Sequence, residues 1–404
     1  MCATATATAQ LAPKPGTAAI ERHLSGGEAH RYAFAASAGQ YVHVTVTQKG
    51  IDVVVLLTGP RGRVADIDSP NGPIGPEVLQ AILDDAGDYS IEIRSFDPGA
   101  DPGAYALRID ELRAATPAEI GSRSQFPGTP LGQLHRKIES LTRSINAQWG
   151  IYVKCIETGE SVSINADVVA DTMSVIKIPV MVELFRQAES GKLSLDEQVK
   201  LADSDKRIGS GLLQFMGAGA VLHLRDLAMM MIAVSDNTAT DLIYRRIGGP
   251  EIVTASMRQM GFPTITASRT LDDYFKRVAA AGDLWQLHSR GETPLGLASA
   301  RDLGTLLERL YRGEVVSRRA SQQMLSILRT QVYNSRLPRH VPDIGAHKTG
   351  DFLPYIANDV GILELPTRHV VIAVLATRHN GNGATLEETI GRISELVAGY
   401  YAAR

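Results

Sequence analysis

From Ile20 to about Glu111 the chain alternates apolar and polar residues with a period of two, as in Tyr41-Val-His-Val-Thr-Val-Thr-Gln48, Val53-Val-Val-Leu-Leu57, Tyr89-Ser-Ile-Glu-Ile-Arg94 and Tyr105-Ala-Leu-Arg-Ile109. Successive strand side chains point to opposite faces, so this pattern predicts strands buried on one side. Gly59-Pro60, Pro70-Asn-Gly-Pro73 and Asp97-Pro-Gly-Ala-Asp-Pro-Gly103 interrupt the runs with residues that stop strands and favour reversal. A small antiparallel β-sandwich is expected over residues 17–112, after a flexible tail at 1–16. Arg113 to Gly132 loses all periodicity, which predicts a linker at 113–130 with a domain boundary near residue 125. Beyond it, Leu131 to Trp149 reads as an amphipathic helix, and Ile151–Ile156 with Glu160–Asn165 as a hairpin across Thr158-Gly159. Ser174 through Leu307 is mainly helical by period. Strands return at Val360–Leu365 and Val370–Leu375, before a last helix from Thr385. The fold class expected for 131–404 is α+β, an antiparallel sheet made from both ends of the domain and flanked by helices.

Composition narrows the partners more than the fold. A length of 404 residues favours two cores over one, and 44% hydrophobic with 21% charged residues is the balance of a folded chain. A net charge of −3 offers no basic footprint for phosphates, which argues against nucleic acid and for a small molecule or peptide. No stretch is long and apolar enough to span a membrane. The two cysteines, Cys2 and Cys155, make no disulfide framework. The start, Met1-Cys2 followed by alternating Ala and Thr, lacks the charged and apolar regions of a signal peptide but has small residues like those around a cleavage site. It is compatible with a removed export signal and a periplasmic or secreted protein. Cys2 has two readings, an incidental thiol on a tail and a lipoprotein cysteine, of which the first is simpler. The ten histidines are scattered without ligand spacing, His340 and His347 included, so no metal is expected, and no cofactor motif occurs.

Three short motifs carry the chemistry: Ser174-Val-Ile-Lys177, Ser235-Asp-Asn237 and Lys348-Thr-Gly350. Each alone has an ordinary reading, as a helix start with a surface lysine, as capping residues, or as a turn. Their order and company give them weight. Ser174 opens the apolar run Ile176 to Phe185, and residues three apart share a helical face, so its hydroxyl and the Lys177 amine can meet. Apolar surroundings and a helix N-terminus both disfavour an ammonium, which would let Lys177 act as a base toward a weak alcohol nucleophile. Ser235 sits in a turn between helical segments, where it could pass a proton to a leaving group while Asn237 holds a substrate amide and Asp236 stabilises the turn. Lys348, Thr349 and Gly350 supply a cation, a hydroxyl and room for close approach, a set suited to gripping a carboxylate.

With these residues in hand, the stretch from about Leu131 to Arg404 resembles the class A β-lactamase group of penicillin-recognising serine hydrolases. The likeness extends to Gly209-Ser-Gly-Leu-Leu-Gln214 and to Ala346-His347 before Lys348. It implies Ser174 as nucleophile, an oxyanion hole from the backbone N–H groups of Ser174 and Asp351, and a β-lactam or peptidoglycan-like substrate. Ala38-Gly-Gln-Tyr41 and Asp85-Ala-Gly-Asp-Tyr89 resemble the bacterial pre-peptidase accessory domain, whose roles would be surface binding or spacing.

The chain departs from the family in two places. The Glu-x-x-Leu-Asn signature that holds the deacylating water is missing; Arg269-Thr-Leu-Asp-Asp-Tyr-Phe275 puts Leu271 roughly where the glutamate is expected. Asp272, Asp273, Asp283 and Glu292 are the candidate substitutes, each more simply a solvated charge. An arginine expected after the third motif is replaced by Asn358-Asp-Val-Gly361, leaving Arg378 as a possible cation from elsewhere. Three readings follow: a hydrolase that turns over a β-lactam or related amide or ester, a DD-peptidase or esterase that keeps penicillin bound, and an inactive protein that binds cell-wall fragments.

Overall fold

The computed structural model describes residues 10–290 and 294–403. The chain divides into two compact units, Met1–Lys137 and Ile138–Arg404.

In the first unit two sheets face each other across an apolar core. One has strand order Gln10–Leu11, Ala29–Ala36, Gly87–Ser95, Val53–Gly59 and Gly62–Ile67; the other runs Ile20–Leu24, Gly103–Ala114, Gln40–Lys49 and Ile74–Leu83. The period-two pattern is realised directly, since Val42, Val44 and Val46 of one sheet and Val53, Val55, Leu57, Ile91 and Ile93 of the other are all buried. The segment read as a tail is partly drawn in: Gln10–Leu11 pairs in parallel with Tyr32–Ala33. The segment read as a linker is also more ordered than its composition suggests. The last strand continues to Ala114, and a capping box between Thr116 and Glu119 opens a helix at Pro117–Ser122.

The second unit is α+β. Its antiparallel sheet has the order Ser161–Ile164, Gln148–Cys155, His369–Thr377, Ile356–Glu364 and Ile344–Phe352, so both ends of the unit contribute. Val371, Ala373 and Leu375 face the helical core with Leu303, Leu306, Leu307 and Leu310 of the Ala300–Arg312 helix, while the alternate residues turn the other way. The Lys177–Glu189 helix is buried on nearly every side, which its continuous apolar run requires. Two expectations change here. The helix predicted to reach Trp149 covers Pro130–Arg143 and ends before the Ser144–Ala147 turn, which leaves Trp149 in a strand whose apolar run the helical period had absorbed. Lys348-Thr-Gly350 lies inside the edge strand Ile344–Phe352 and is no turn.

Candidate active site

Ser174 stands in a short 3-10 turn, Met173–Ile176, that leads into the Lys177–Glu189 helix. The turn is held from both sides. Asp171 Oδ1 accepts from Met173 N at 2.9 Å, and Asn358 Nδ2 donates to Asp171 O at 2.9 Å. Burial pushes the Asp171 carboxyl up to about 7, against the pull of backbone N–H groups and Arg269. Met173 takes a positive φ of 46°, and Ser235 one of 52°, conformations that L-residues keep only when surrounding structure enforces them. The edge strand runs against the turn so tightly that a Cβ on Gly350 would lie 2.4 Å from Thr172 O and 2.8 Å from Ser174 N. Only glycine fits there. Thr349 beside it is buried.

Ser235 lies in the middle of the loop between the Leu224–Ala233 and Asn237–Ile247 helices. Asp236 fixes this loop, as its chemistry suggested. One carboxylate oxygen accepts from Ala239 N at 2.8 Å, and the other from Leu212 N at 2.7 Å and Leu213 N at 2.9 Å. Gly211 makes that approach possible, with φ at 108° and Asp236 Cα 2.4 Å from where its Cβ would be.

The buried Lys177 turns away from the partner expected for it. Its Nζ donates to Ser235 O at 2.6 Å, Ser235 Oγ at 3.0 Å and Asn237 Oδ1 at 2.9 Å, while Ser174 Oγ has no hydrogen-bond partner among the described residues. Asn237 Nδ2 donates to Ile208 O at 2.9 Å, which orients the amide and leaves one of its hydrogens uncommitted. Lys348, equally buried, donates to the same Ser235 Oγ at 3.1 Å and to Thr349 O at 2.8 Å. Burial lowers both lysines: Lys348 to about 7, and Lys177 well below its usual range, with Lys348 adding repulsion. A neutral Lys177 suits its partners. Ser235 O and Asn237 Oδ1 can only accept and take two N–H bonds, leaving the amine lone pair for a hydroxyl.

A family model described as the Beta-lactamase enzyme family matches residues 133–401. The chain belongs to that family. Among family relatives, beta-lactamase VEB-1 of Pseudomonas aeruginosa is 22% identical over 278 residues, covering 66% of this chain and 89% of the relative. A solved beta-lactamase of Sphaerobacter thermophilus DSM 20745 shares 26% identity at a TM-score of 0.58, covering 66% of this chain and 96% of that one. A leucine-to-glutamate mutant of PBP-A, solved as an acyl-enzyme complex with penicillin G, also shares 26% at a TM-score of 0.58, covering 68% and 98%.

The residues considered as replacements for the family's glutamate are engaged elsewhere. Leu271 is buried, and its N–H and that of Asp272 are capped by Asp241 at 2.7 and 3.0 Å. Asp272 binds Lys276 at 2.6 Å and Asp273 binds Arg277 at 3.2 Å, both one turn on along the exposed face of the Leu271–Ala280 helix. Asp283 is exposed and accepts from Gln286 N at 3.2 Å, and Glu292 lies outside the described residues. Arg378 is exposed at the end of its strand. The cation near the third motif is instead Arg336, buried and bonded to Asp351 at 2.8 Å, which no periodicity or motif in its stretch marked out. His347 is buried between Asp359 at 3.1 Å and Asn334 at 3.3 Å, a structural placement.

Proposed function

We propose that the chain is an acyl-serine hydrolase in which Ser174 Oγ attacks the carbonyl carbon of a β-lactam or a related amide or ester. The observation that carries this reading is the convergence of two buried lysines on one hydroxyl, Ser235 Oγ, beside the turn that presents Ser174. In the attack the Ser174 Oγ–carbon bond forms as the carbon–nitrogen or carbon–oxygen bond breaks. The Ser174 proton passes to the neutral Lys177, which as an ammonium can then donate to Ser235 Oγ as Ser235 gives its own proton to the departing nitrogen or oxygen. The backbone N–H groups of Ser174 and Asp351 receive the developing oxyanion. Lys348 and Thr349 hold the polar end of the substrate, and Asn237 its amide. A reaction on β-lactams or cell-wall peptides goes with a periplasmic or secreted location.

A second reading concerns the return step. With Leu271 buried and Asp272, Asp273 and Asp283 committed elsewhere, none of these described candidates for the family's glutamate is poised to activate water, which favours a penicillin-binding peptidase or esterase with slow deacylation. A chromogenic cephalosporin followed optically, with intact mass after brief exposure to penicillin, separates the cases. A penicilloyl adduct that disappears in Ser174→Ala is the expected result, and slow colour release identifies the second reading. An adduct that survives in Ser174→Ala overturns the assignment.

A further inference from the structure

Asp351 follows the glycine that touches the Ser174 backbone, on the same edge strand as Lys348. Its side chain is 44% exposed, and its Oδ2 accepts from Arg336 Nη2 at 2.8 Å. Arg336 is fixed beneath it: Nη1 donates to Asn358 O at 3.2 Å and Nη2 also meets Glu387 Oε1 at 3.2 Å. Asp351 is near enough to both lysines to favour their charged forms, and with Asp236 it disfavours ionisation of Tyr333, itself bonded to Val234 O at 3.3 Å beside Ser235. The corner where Lys348 and Thr349 would grip a substrate carboxylate therefore already contains the chain's own carboxylate. That carboxylate also occupies the nearby guanidinium.

We infer that Asp351, held by Arg336, is a specificity residue that turns this site away from acyl donors carrying a carboxylate beside the scissile bond and toward uncharged esters and amides. The assignment rests on acylation at Ser174 as proposed above. An incoming anion meets like charge at short range and cannot recruit Arg336 without displacing Asp351, whereas a neutral donor pays neither penalty. Discrimination of this kind acts on the rate of acylation, because both effects persist into the transition state.

The test compares benzylpenicillin with its methyl ester, two donors that differ in that one charge, by the second-order rate of adduct formation measured by intact mass. Asp351→Ser and the near-isosteric Asp351→Asn are used beside the unaltered chain, with tryptophan-fluorescence melts to establish that the variants fold. Both variants are expected to raise the anion-to-ester ratio of acylation rates roughly tenfold or more, a ratio in which any general effect of the substitution on the oxyanion site cancels. Raising the salt concentration should narrow the ester-to-anion ratio of the unaltered chain more than that of either variant. An anion-to-ester ratio that stays the same or falls in both variants overturns the assignment. Neither adduct nor hydrolysis of either donor by the unaltered chain removes the acyl-serine reading, and this assignment with it.

Discussion

Each unit buries charge, and the two do so in opposite ways. In the sandwich, the fully buried Glu77 accepts from Gln48 Nε2 at 3.1 Å and Ser69 N at 2.8 Å, and Gln48 in turn receives Val53 N at 2.6 Å. Partners come from neighbouring strands and turns, and no like charge enters the bonded set. In the second unit two lysines share one hydroxyl, and that hydroxyl and both lysines come from three distant segments. Burying Glu77 has a desolvation cost that raises its carboxyl and that local hydrogen bonds offset only in part. Burying Lys177 beside Lys348 has a similar cost, to which the second lysine adds repulsion and which nearby carboxylates do not cancel, and groups kept in such a state are candidates for chemistry.

The comparison is broken most directly at Lys177. Lys177→Met should reduce the penicilloyl-forming rate by about a thousandfold or more with the fold retained, at a stability cost of about 1–3 kcal/mol because Ser235 O and Asn237 Oδ1 lose their donor. Acylation within tenfold of the unaltered chain would remove Lys177 from the proton path. Gly350→Ala comes next. The added methyl must displace the Ser174 turn, and a loss of about a hundredfold in acylation rate with far-ultraviolet circular dichroism retained is expected. Glu77→Leu tests the other side. It leaves Ser69 N without its partner and should lower the first unit's calorimetric stability by about 1–3 kcal/mol, with acylation within twofold.

The smallest effect is a slope with pH. Lys348 is lowered to about 7 in the folded chain from 10.5, so between those values the unfolded chain holds a proton that the folded one lacks. Stability should therefore rise with pH across that window, by at most about 1.4 kcal/mol per unit from this group, with the full cost present below 7. Both tryptophans, Trp149 and Trp285, belong to the second unit, so fluorescence-monitored denaturation at pH 7 and 9 reads that unit selectively. Lys348→Met should flatten the slope.

Much of this arrangement was legible in the amino-acid order because some positions tolerate few residue types. Val42, Val44 and Val46 announce a half-buried strand, and Ser174, Lys177, Ser235 and Lys348 announce chemistry by their order. Lys177's partner was not legible, since Ser235 reaches it from another segment, 58 positions along the chain, and local period does not encode contacts at that separation. Lys348-Thr-Gly350 looked like a turn because glycine breaks strands on average, whereas here it allows one strand to lie against the Ser174 backbone. Arg336 sits in an aperiodic stretch with prolines nearby, and its burial follows from tertiary contacts with Asp351 and Glu387 that local pattern does not encode. The pairing of Asp272 with Lys276 and of Asp273 with Arg277, by contrast, was readable from their four-residue spacing.

The order of strands in the second sheet has a temporal consequence. Gln148–Cys155 pairs with His369–Thr377, and the strand bearing Lys348 joins the sheet only through Ile356–Glu364. As the chain is made or threaded from its N-terminus, Ser174 and Lys177 appear long before the segments that hold them in place. Contacts of such long sequence separation form late and slowly, so a nascent chain passes through a period in which the proposed nucleophile is present but unarmed. The serine acquires its setting at the end of synthesis, in the same event that closes the sheet.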